Sequence, residues 1–228
     1  MTKTEVKEKV IIILQDDANE LTENQILSAI DSAIVNYSID RPLLKIKDIV
    51  GDGGYDYNLP TDWEQSFSQI IAVEFPAGEQ EPIYLSQEDY TIYETELNRK
   101  FRLIWESATS TQIIRLSYTK KHTLSETPSE TTVYDSDFEA VAHLGAAYAC
   151  KFLSRKFAQV SRSLISADAV DYADKSEVYA SRVEELFEDY KRLLQQSKED
   201  LKGVVKIKDL DFPDWEGYYL THPNRRLT

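Results

Sequence analysis

The stretch from Ser136 to Gly203 constrains the fold more than any other part of this chain of 228 residues. Its first half spaces apolar and small residues at helical intervals around a thin centre, Gly145-Ala-Ala147, which another backbone can approach closely. Its second half predicts a helix from about Asp168 to Lys202 that ends at the glycine behind it. At 1.5 Å per residue such a helix is roughly 50 Å long, more than a small domain needs. The stretch therefore predicts a long helical hairpin, which is a scaffold and not an active site.

The two helices of this hairpin carry different signals. The first begins at a capping box, Ser136-Asp-Phe-Glu139, whose serine and glutamate can satisfy each other's end amides. The second carries an aromatic and apolar stripe in steps of four and three, flanked by acidic residues. A stripe of this kind is usually core, and the core interpretation comes first for its tyrosines. The length of the helix also makes the stripe a candidate subunit interface, formed by Tyr179, Val183, Leu186, Tyr190 and Leu193.

The composition excludes several classes of function. The net charge is -14, from 40 acidic against 26 basic residues, and wrapping of nucleic acid needs concentrated Lys and Arg instead. An acidic surface still suits DNA that must slide past without binding. The single cysteine, Cys150, excludes an internal disulfide and fits a reducing compartment. The longest apolar run, Val10 to Leu14, is far too short for a membrane span, so we expect no membrane partner and assembly in a cytoplasm.

Two short segments precede the predicted sheet. In residues 4–15 the β-branched run favours a strand and the Lys/Glu-rich lead-in favours a helix, and we choose the helix. The next segment has a capping box, Thr22-Glu-Asn-Gln25, enclosed by the hydrophobic staple of Leu21 and Ile26. The helix that it starts ends before Pro42, because the residue before a proline avoids helical geometry.

From Leu43 the apolar residues recur with a period of two, which is typical of strands. The glycine turn at 51–54 lies between two such runs and predicts a hairpin, and further strands are expected at Ile70–Phe75, Lys100–Glu106 and Thr111–Tyr118. The predicted fold class is therefore α+β: a helical domain with an inserted small antiparallel β module and an extended C-terminal arm. The predicted boundaries are 1–42 for the N-terminal helices, 43–121 for the β module, 122–203 for the hairpin and 204–228 for the arm.

The arm has an unusual composition for a tail. Val204, Val205 and Ile207 could form a short strand, and residues 211–228 show neither a helical nor a strand period. Solvated tails are poor in aromatic residues, whereas aromatic residues and arginine anchor interfaces. The arm is therefore expected to lie on a partner, or else to fold back over its own core. The candidate partner-binding residues are Phe212, Trp215, Tyr218, Tyr219, Leu220, Arg225 and Arg226.

The sequence contains no catalytic signature. A P-loop, a GxGxxG and a GxSxG motif are all absent. His143 and Cys150 fall roughly on one helix face, but a zinc site would need two more ligands, so an interior histidine and a buried thiol are expected. No catalytic residue, metal or cofactor is predicted. Trp63 and Trp105 could stack on sugars, which keeps a carbohydrate-binding module as the alternative function.

The order of these parts resembles that of one protein family. A capped helix from Leu21 to Ser38 precedes a β segment with Tyr57-Asn-Leu-Pro60, and two helices follow, Phe138 to Tyr148 and from Asp171 past Tyr190, before the free arm. Over nearly its whole length the chain resembles the head–tail adaptor (connector, head-completion) proteins of tailed bacteriophages and prophages. The resemblance implies a non-enzymatic ring, commonly of twelve copies, seated under the portal protein after DNA packaging.

The resemblance also implies partners and a location. The arm of such proteins reaches toward the portal, which here is the stretch Phe212–Leu227. The ring lets DNA pass without specific binding and offers a docking platform to a downstream neck or tail-completion protein. The protein would then belong to the virion neck, after assembly in the host cytoplasm. The competing class is a non-enzymatic binding module that uses the β insert to hold a glycan or another virion protein.

Overall fold

The computed structural model describes residues 1–96, 98–163 and 168–202. Within those ranges the chain forms four α-helices and two small antiparallel sheets, so the predicted α+β class with a long C-terminal helical hairpin is confirmed. The helices are α1 (Lys3–Leu14), α2 (Glu23–Asp40), α3 (Phe138–Ser163) and α4 (Asp168–Lys202). None of these described helices is long and apolar enough to cross a membrane.

Local capping determines how the first two helices begin. Helix α1 starts at a capping box between Thr2 and Glu5, which confirms a helix and not a strand in this segment. Helix α2 starts at the predicted capping box of Thr22 and Gln25 and ends before the Arg41-Pro bond, as expected.

The predicted capping box of Ser136 and Glu139 is wrong. Ser136 lies in a 3₁₀ turn, Asp135–Asp137, and its hydroxyl donates to the Asp137 carboxylate at 3.1 Å. Glu139 pairs with Lys9 of α1 at 2.7 Å. Both side chains have charged partners nearby, and a bond to a charged partner is stronger than a bond to a neutral backbone amide.

Helix α3 is the centre of the helical core, because α1, α2 and α4 all pack against it. The helices approach each other closely at Gly145: a Cβ on this residue would lie 3.0 Å from Val10 Cγ2 and 3.6 Å from Ile30 Cγ1. The thin centre that the sequence showed therefore receives α1 and α2. The cluster closes with buried Tyr179 and Tyr190 of α4.

Six strands are present in the described part of the chain: β1 (Leu43–Val50), β2 (Asp56–Asn58), β3 (Ile70–Glu74), β4 (Tyr90–Glu94), β5 (Arg99–Leu103) and β6 (Ile113–Lys120). The first sheet has the order β1-β6-β3 and the second has the order β2-β5-β4, with antiparallel pairs in both. Three strands were expected at the positions of β3, β5 and β6, and these are confirmed. Strand β4 was not expected.

The predicted hairpin across the glycine turn is wrong, because β1 and β2 belong to different sheets. The turn is bonded to a distant segment: Gly51 N–H donates to Gln112 O at 2.9 Å and Gly53 N–H donates to Ala108 O at 2.8 Å. A Cβ at Gly51 would lie 2.3 Å from Thr109 O, so this position must be glycine. The turn therefore carries the chain from one sheet to the other.

A second hydrophobic cluster joins the two sheets. It contains Val73 and Leu116 of the first sheet and Phe101 and Leu103 of the second, all buried. The β strands connect to the helices where Leu43, which begins β1, lies opposite Lys120, which ends β6. The domain boundaries at 42, 121 and 203 stay a prediction.

Candidate interaction surfaces

A buried polar cluster lies where α2 ends and β1 begins. We call it the Asp137 node, after the completely buried carboxylate at its centre. Asp137 Oδ2 accepts from the hydroxyl of Tyr37 at 2.5 Å and from Arg41 Nη1. Asp137 Oδ1 accepts from the hydroxyls of Ser136 and Ser197. The node thus ties α2, the turn before α3 and the last turns of α4 to one side chain.

The Asp137 node is built for structure and not for proton transfer. All the donors around Asp137 occupy lone pairs that a general base would need free. Burial, reinforced by the neighbouring carboxylate of Asp137, raises the pKa of Tyr37, so this hydroxyl remains protonated. Arg41 also donates to the Ser197 hydroxyl at 3.1 Å and lies 4.3 Å from the centre of the Tyr134 ring.

The interior histidine is His122 and not His143, so that prediction is wrong. His143 is half-exposed on α3, with its Nδ1 2.8 Å from the carbonyl oxygen of Glu139, one helical turn away. His122 is buried beside the node, where its ring nitrogens lie 2.8 Å from Thr132 O and 3.0 Å from Arg41 O. Burial lowers the pKa of His122, and the hydrogen bonds to the two carbonyls oppose that shift.

The other expected buried group is confirmed. Cys150 is buried on α3, and desolvation raises the pKa of its thiol to about 11. Across residues 1–96, 98–163 and 168–202 no group of three His, Cys, Asp or Glu side chains is placed to hold a metal ion.

The stripe on α4 packs on the chain's own core. Tyr179, Leu186 and Tyr190 are buried there, and Val183 and Leu193 are partly buried against the same cluster. The tyrosine hydroxyls are engaged as well: that of Tyr179 donates to Asp17 at 2.8 Å, and that of Tyr190 donates to Asp40 at 2.7 Å.

The stripe therefore packs into the core of its own chain, as the first of the two interpretations predicts. A side chain buried within one chain has little surface left for another subunit, so a contact through α4 must use the residues beside the stripe. The subunit-interface role of the five residues stays a prediction.

The opposite face of α4 is acidic. Glu184, Glu185 and Glu188 are all exposed over little more than one helical turn. The arginine of this stretch, Arg182, bonds in the other direction, to Asp17 at 2.8 Å and to the carbonyl oxygen of Ile13 at 2.7 Å. Lys191 and Arg192 are exposed one turn further on, and Arg192 pairs with Asp189 at 2.6 Å, so the acidic part of this face is confined to residues 184–188.

The candidate arm residues Phe212, Trp215, Tyr218, Tyr219, Leu220, Arg225 and Arg226 lie outside the described residues. So do Gly203 and the short strand expected at Val204–Ile207. Their partner-binding role stays a prediction.

The β module carries a cleft around one of the two tryptophans singled out by sequence. Trp63 lines an open cleft of about 550 Å³ together with mostly polar side chains: Asn58, Thr61, Gln65, Glu94, Asn98 and Arg99. Trp63 Nε1 is buried and has no hydrogen-bond partner among the described residues. Trp105 lies elsewhere, in a smaller depression with Phe75 and Leu85, and is 74% exposed. The structure therefore does not bring the two tryptophans into one site.

Sequence reasoning missed two features. The Asp137 node joins residues 160 positions apart, and no local pattern indicates it. The second is the exposed apolar face of β1, where Leu44, Ile46 and Val50 are 60%, 67% and 62% exposed. In the sequence this face appears only as an alternation of apolar and polar residues. The signal was present in the sequence, but the period does not say which face is covered.

Comparisons with known proteins give weak likenesses. No family model matches the chain, and no curated protein matches it either. Among solved structures, it is similar to a chain in the neck of an empty GTA particle computed with C6 symmetry, with 11% identity, a TM-score of 0.27 and coverage of 56% of this chain and 67% of that one. It is also similar to a chain in the neck of a native GTA particle computed with C12 symmetry, with 12% identity, a TM-score of 0.25 and coverage of 62% and 77%.

A third similar chain comes from the virion of a native gene transfer agent (GTA) particle, with 14% identity, a TM-score of 0.27 and coverage of 63% and 76%. These TM-scores are too low to establish a shared fold or a shared function.

Proposed function

We propose that this chain is a non-enzymatic structural protein of a virion neck, a head–tail adaptor of a tailed bacteriophage or prophage. Its copies form a ring, commonly of twelve, beneath the portal protein. The ring is a conduit for DNA and a docking platform for the downstream neck or tail-completion protein. Assembly takes place in the host cytoplasm.

The observation that carries this proposal is the two-sided character of α4. One side of this long helix is fixed to the core through Leu186 and Tyr190, and the other presents Glu184, Glu185 and Glu188 to solvent. DNA binding needs cations that neutralise phosphates. A helix face with exposed carboxylates repels the duplex instead, which suits a channel wall that DNA must pass.

Exposed apolar residues on the helices supply surface for contacts between copies. Val35 and Ile39 are exposed on α2 one turn apart, so they form a single stripe. Val178 is exposed on α4 and Ile12 on α1. Helices packed side by side in a ring would cover such residues, because heterologous contacts that close give a cyclic oligomer.

The arm supplies the contact with the portal in this proposal. Its aromatic and arginine residues are the types that anchor interfaces. Deleting residues 211–228 should abolish binding to the cognate portal protein and leave thermal unfolding unchanged, as measured by cosedimentation and circular dichroism. Replacing Trp215 by Ala should weaken binding strongly, and Thr221→Ala serves as the control in the same segment. Full binding by the truncated protein would refute the role of the arm.

Electron microscopy of the full chain mixed with its cognate portal tests the ring itself. The expected result is a cyclic layer of this protein on one end of the portal. Portal rings that remain bare at saturating concentrations of both proteins would overturn the proposal.

The channel position of α4 has a separate test. Particles assembled with Glu184, Glu185 and Glu188 all changed to Lys should eject DNA more slowly than the wild type. The control is the same change of charge in the β module, at Glu79, Glu81 and Glu88, which are also exposed. Equal ejection rates from both variants would show that this face of α4 does not line the channel.

A second candidate function is favoured by the cleft around Trp63. An indole with polar neighbours in an open cleft suits stacking on a sugar ring, with the hydrogen bonds supplied by the polar side chains around it. In this case the β module would hold a glycan or another virion protein. A glycan array decides it: binding that Trp63→Ala removes and Trp105→Ala keeps would favour this function, and an empty array would eliminate the glycan form of it.

A further inference from the structure

Strand β1 is an open edge. It is the outermost strand of its sheet and, within the described ranges, it pairs with β6 alone. The register runs without a bulge from Leu43 opposite Lys120 to Val50 opposite Ile113. The next residue, Gly51, donates its N–H to Gln112 O, so the odd-numbered residues of β1 bond to β6. The even-numbered residues direct their N–H and C=O groups to the free edge, where they form a template for another strand.

The side chains of this edge are also uncovered. Leu44, Ile46 and Val50 are all more than half exposed on one face. Proteins protect edges with short strands, bulges, prolines or charges, and β1 has three charged side chains, Lys45, Lys47 and Asp48, of which Asp48 already pairs with Arg115 of β6 at 2.8 Å. These lysines favour a strand that brings an acidic residue to them.

Space is available beside this edge. A cleft of about 420 Å³ is lined by β1 residues from Lys47 to Val50 and by the whole of β2. Strand β2 is itself the edge of the second sheet. Three aspartates, Asp48, Asp52 and Asp56, and two lysines, Lys47 and Lys100, line the cleft, so it offers partners to a segment that carries both signs of charge.

Residues 204–210 have the charges and apolar residues that this edge requires. Their sequence, Val-Val-Lys-Ile-Lys-Asp-Leu, matches that of β1 from Leu43, Leu-Leu-Lys-Ile-Lys-Asp-Ile, with four consecutive identities. An antiparallel alignment of the two places Lys206 opposite Asp48 and Asp209 opposite Lys45, and it places apolar residues together at both ends. A parallel alignment of the identical residues would place lysine beside lysine. Opposite charges across a strand pair are stabilising, and like charges are destabilising.

The antiparallel direction requires a second copy. Helix α4 ends at Lys202, and its Ser197 contacts the Arg41 side chain, so the chain leaves the helix near the beginning of β1. Antiparallel pairing needs residue 204 at the other end of the strand, at Val50, roughly 30 Å from Arg41 at the rise of a strand. The residues from Ser197 to residue 204 span about 15 Å at most. Even with the length of the Arg41 side chain added, the chain's own segment does not reach.

We propose that the open edge of β1 binds residues 204–210 of a neighbouring copy as an antiparallel strand. Each copy gives one segment and receives one, which is a heterologous contact that closes into a ring or continues as a filament. The contact between copies does not depend on portal binding. It adds main-chain hydrogen bonds to whatever contacts the helices make.

Disulfide trapping tests this contact, including its direction. In the full chain, the variant Val50→Cys/Val204→Cys should give a ladder of linked copies on a non-reducing gel after mild oxidation. The matched pair Leu44→Cys/Val204→Cys should give little, because it joins the wrong end of the strand. A fast-migrating linked monomer of the Val50→Cys/Val204→Cys variant would show that the segment reaches Val50 of its own chain and would overturn the proposal. Absence of a ladder from this variant would overturn it as well.

Charge exchange gives a second readout by sedimentation. Lys45→Asp should weaken self-association about tenfold, since it faces Asp209 with a like charge, and Asp209→Lys should do the same against Lys45. The double exchange should restore association. Deleting residues 204–228 should remove it, and deleting 211–228 should keep it, which separates this contact from portal binding. A double exchange that remains as weak as the single variants would refute the pairing.

Discussion

The Asp137 node should carry a large share of the stability of this fold, and the change Asp137→Asn measures it. The substitution keeps the volume of the side chain but removes the charge that compensates Arg41, a side chain that is 12% exposed. It also turns an amide NH₂ toward donors that need an acceptor. Breaking a buried ion pair by removing one partner costs about 3–5 kcal/mol. For a chain of this size each kcal/mol lowers Tm by about 2–4 °C, so the expected fall is roughly 6–20 °C.

The assay is urea denaturation with thermal unfolding as a check, and Asp135→Asn is the matched control. Asp135 lies two residues away and pairs with the N-terminal amine at 3.5 Å, but its side chain is 88% exposed. Exposed pairs contribute about 0–1 kcal/mol, so the control should hardly change Tm. A double-mutant cycle with Arg41→Met isolates the pair. If Asp137→Asn destabilised the protein no more than Asp135→Asn, the reasoning about the node would be refuted.

Three further predictions concern groups in or near the helical core. Cys150 should react with Ellman's reagent at pH 8 about 100-fold more slowly in the folded protein than in urea, because a thiol with a pKa of about 11 is almost never a thiolate at that pH; equal rates would contradict its burial. His122 has a lowered pKa when folded, so the unfolded chain takes up a proton first, and stability should fall as the pH drops below about 6.5; urea titrations at pH 7.5 and 5.5 should show a smaller fall for His122→Asn. The free energy of unfolding of Gly145→Ala should stay within about 1 kcal/mol of the wild type, because the better helix propensity of alanine offsets a 3.0 Å contact with Val10. Gly145→Val should lower it by about 1–3 kcal/mol, because the larger side chain overpacks against Val10. Equal stability of the two variants, measured by urea denaturation, would show that the helices do not approach closely here.

Local signals in the sequence predicted the helices well. The capping box of Thr22 and Gln25 depends on residues three positions apart, and it is present as expected. The bounds of α4, Asp168–Lys202, follow from a periodic pattern and a glycine stop, and they too are as predicted. The stripe on α4 revealed which face is buried, because burial follows the helical period. It could not reveal whether the covering surface belongs to the same chain or to another.

Pairings between distant segments could not be read from the sequence. The glycine turn at 51–54 looks like a hairpin turn because a local pattern contains no information about Gln112, its hydrogen-bond partner. The same limit applies to the node, where Tyr37 and Ser197 meet on one carboxylate. The spacing of Ser136 and Glu139 predicted a helix cap, but the Ser136 hydroxyl donates to the Asp137 carboxylate instead. The arm residues lie outside the described part of the chain, so their role is still argued from composition.

The Asp137 node occupies a position that matters for assembly as well as for stability. Arg41 directly follows α2 and lies two residues before β1 begins, and it contacts Ser197 of α4, five residues before that helix ends. The node therefore fixes the start of the open edge relative to the last turns of α4. In the proposed contact between copies, each subunit gives a segment from one of these points and receives one at the other, so their spacing determines whether the contacts close. Adding Asp137→Asn to the Val50→Cys/Val204→Cys variant should therefore lower the yield of disulfide-linked copies, even at a low temperature at which the protein is fully folded. An unchanged yield of linked copies would show that the node does not affect assembly.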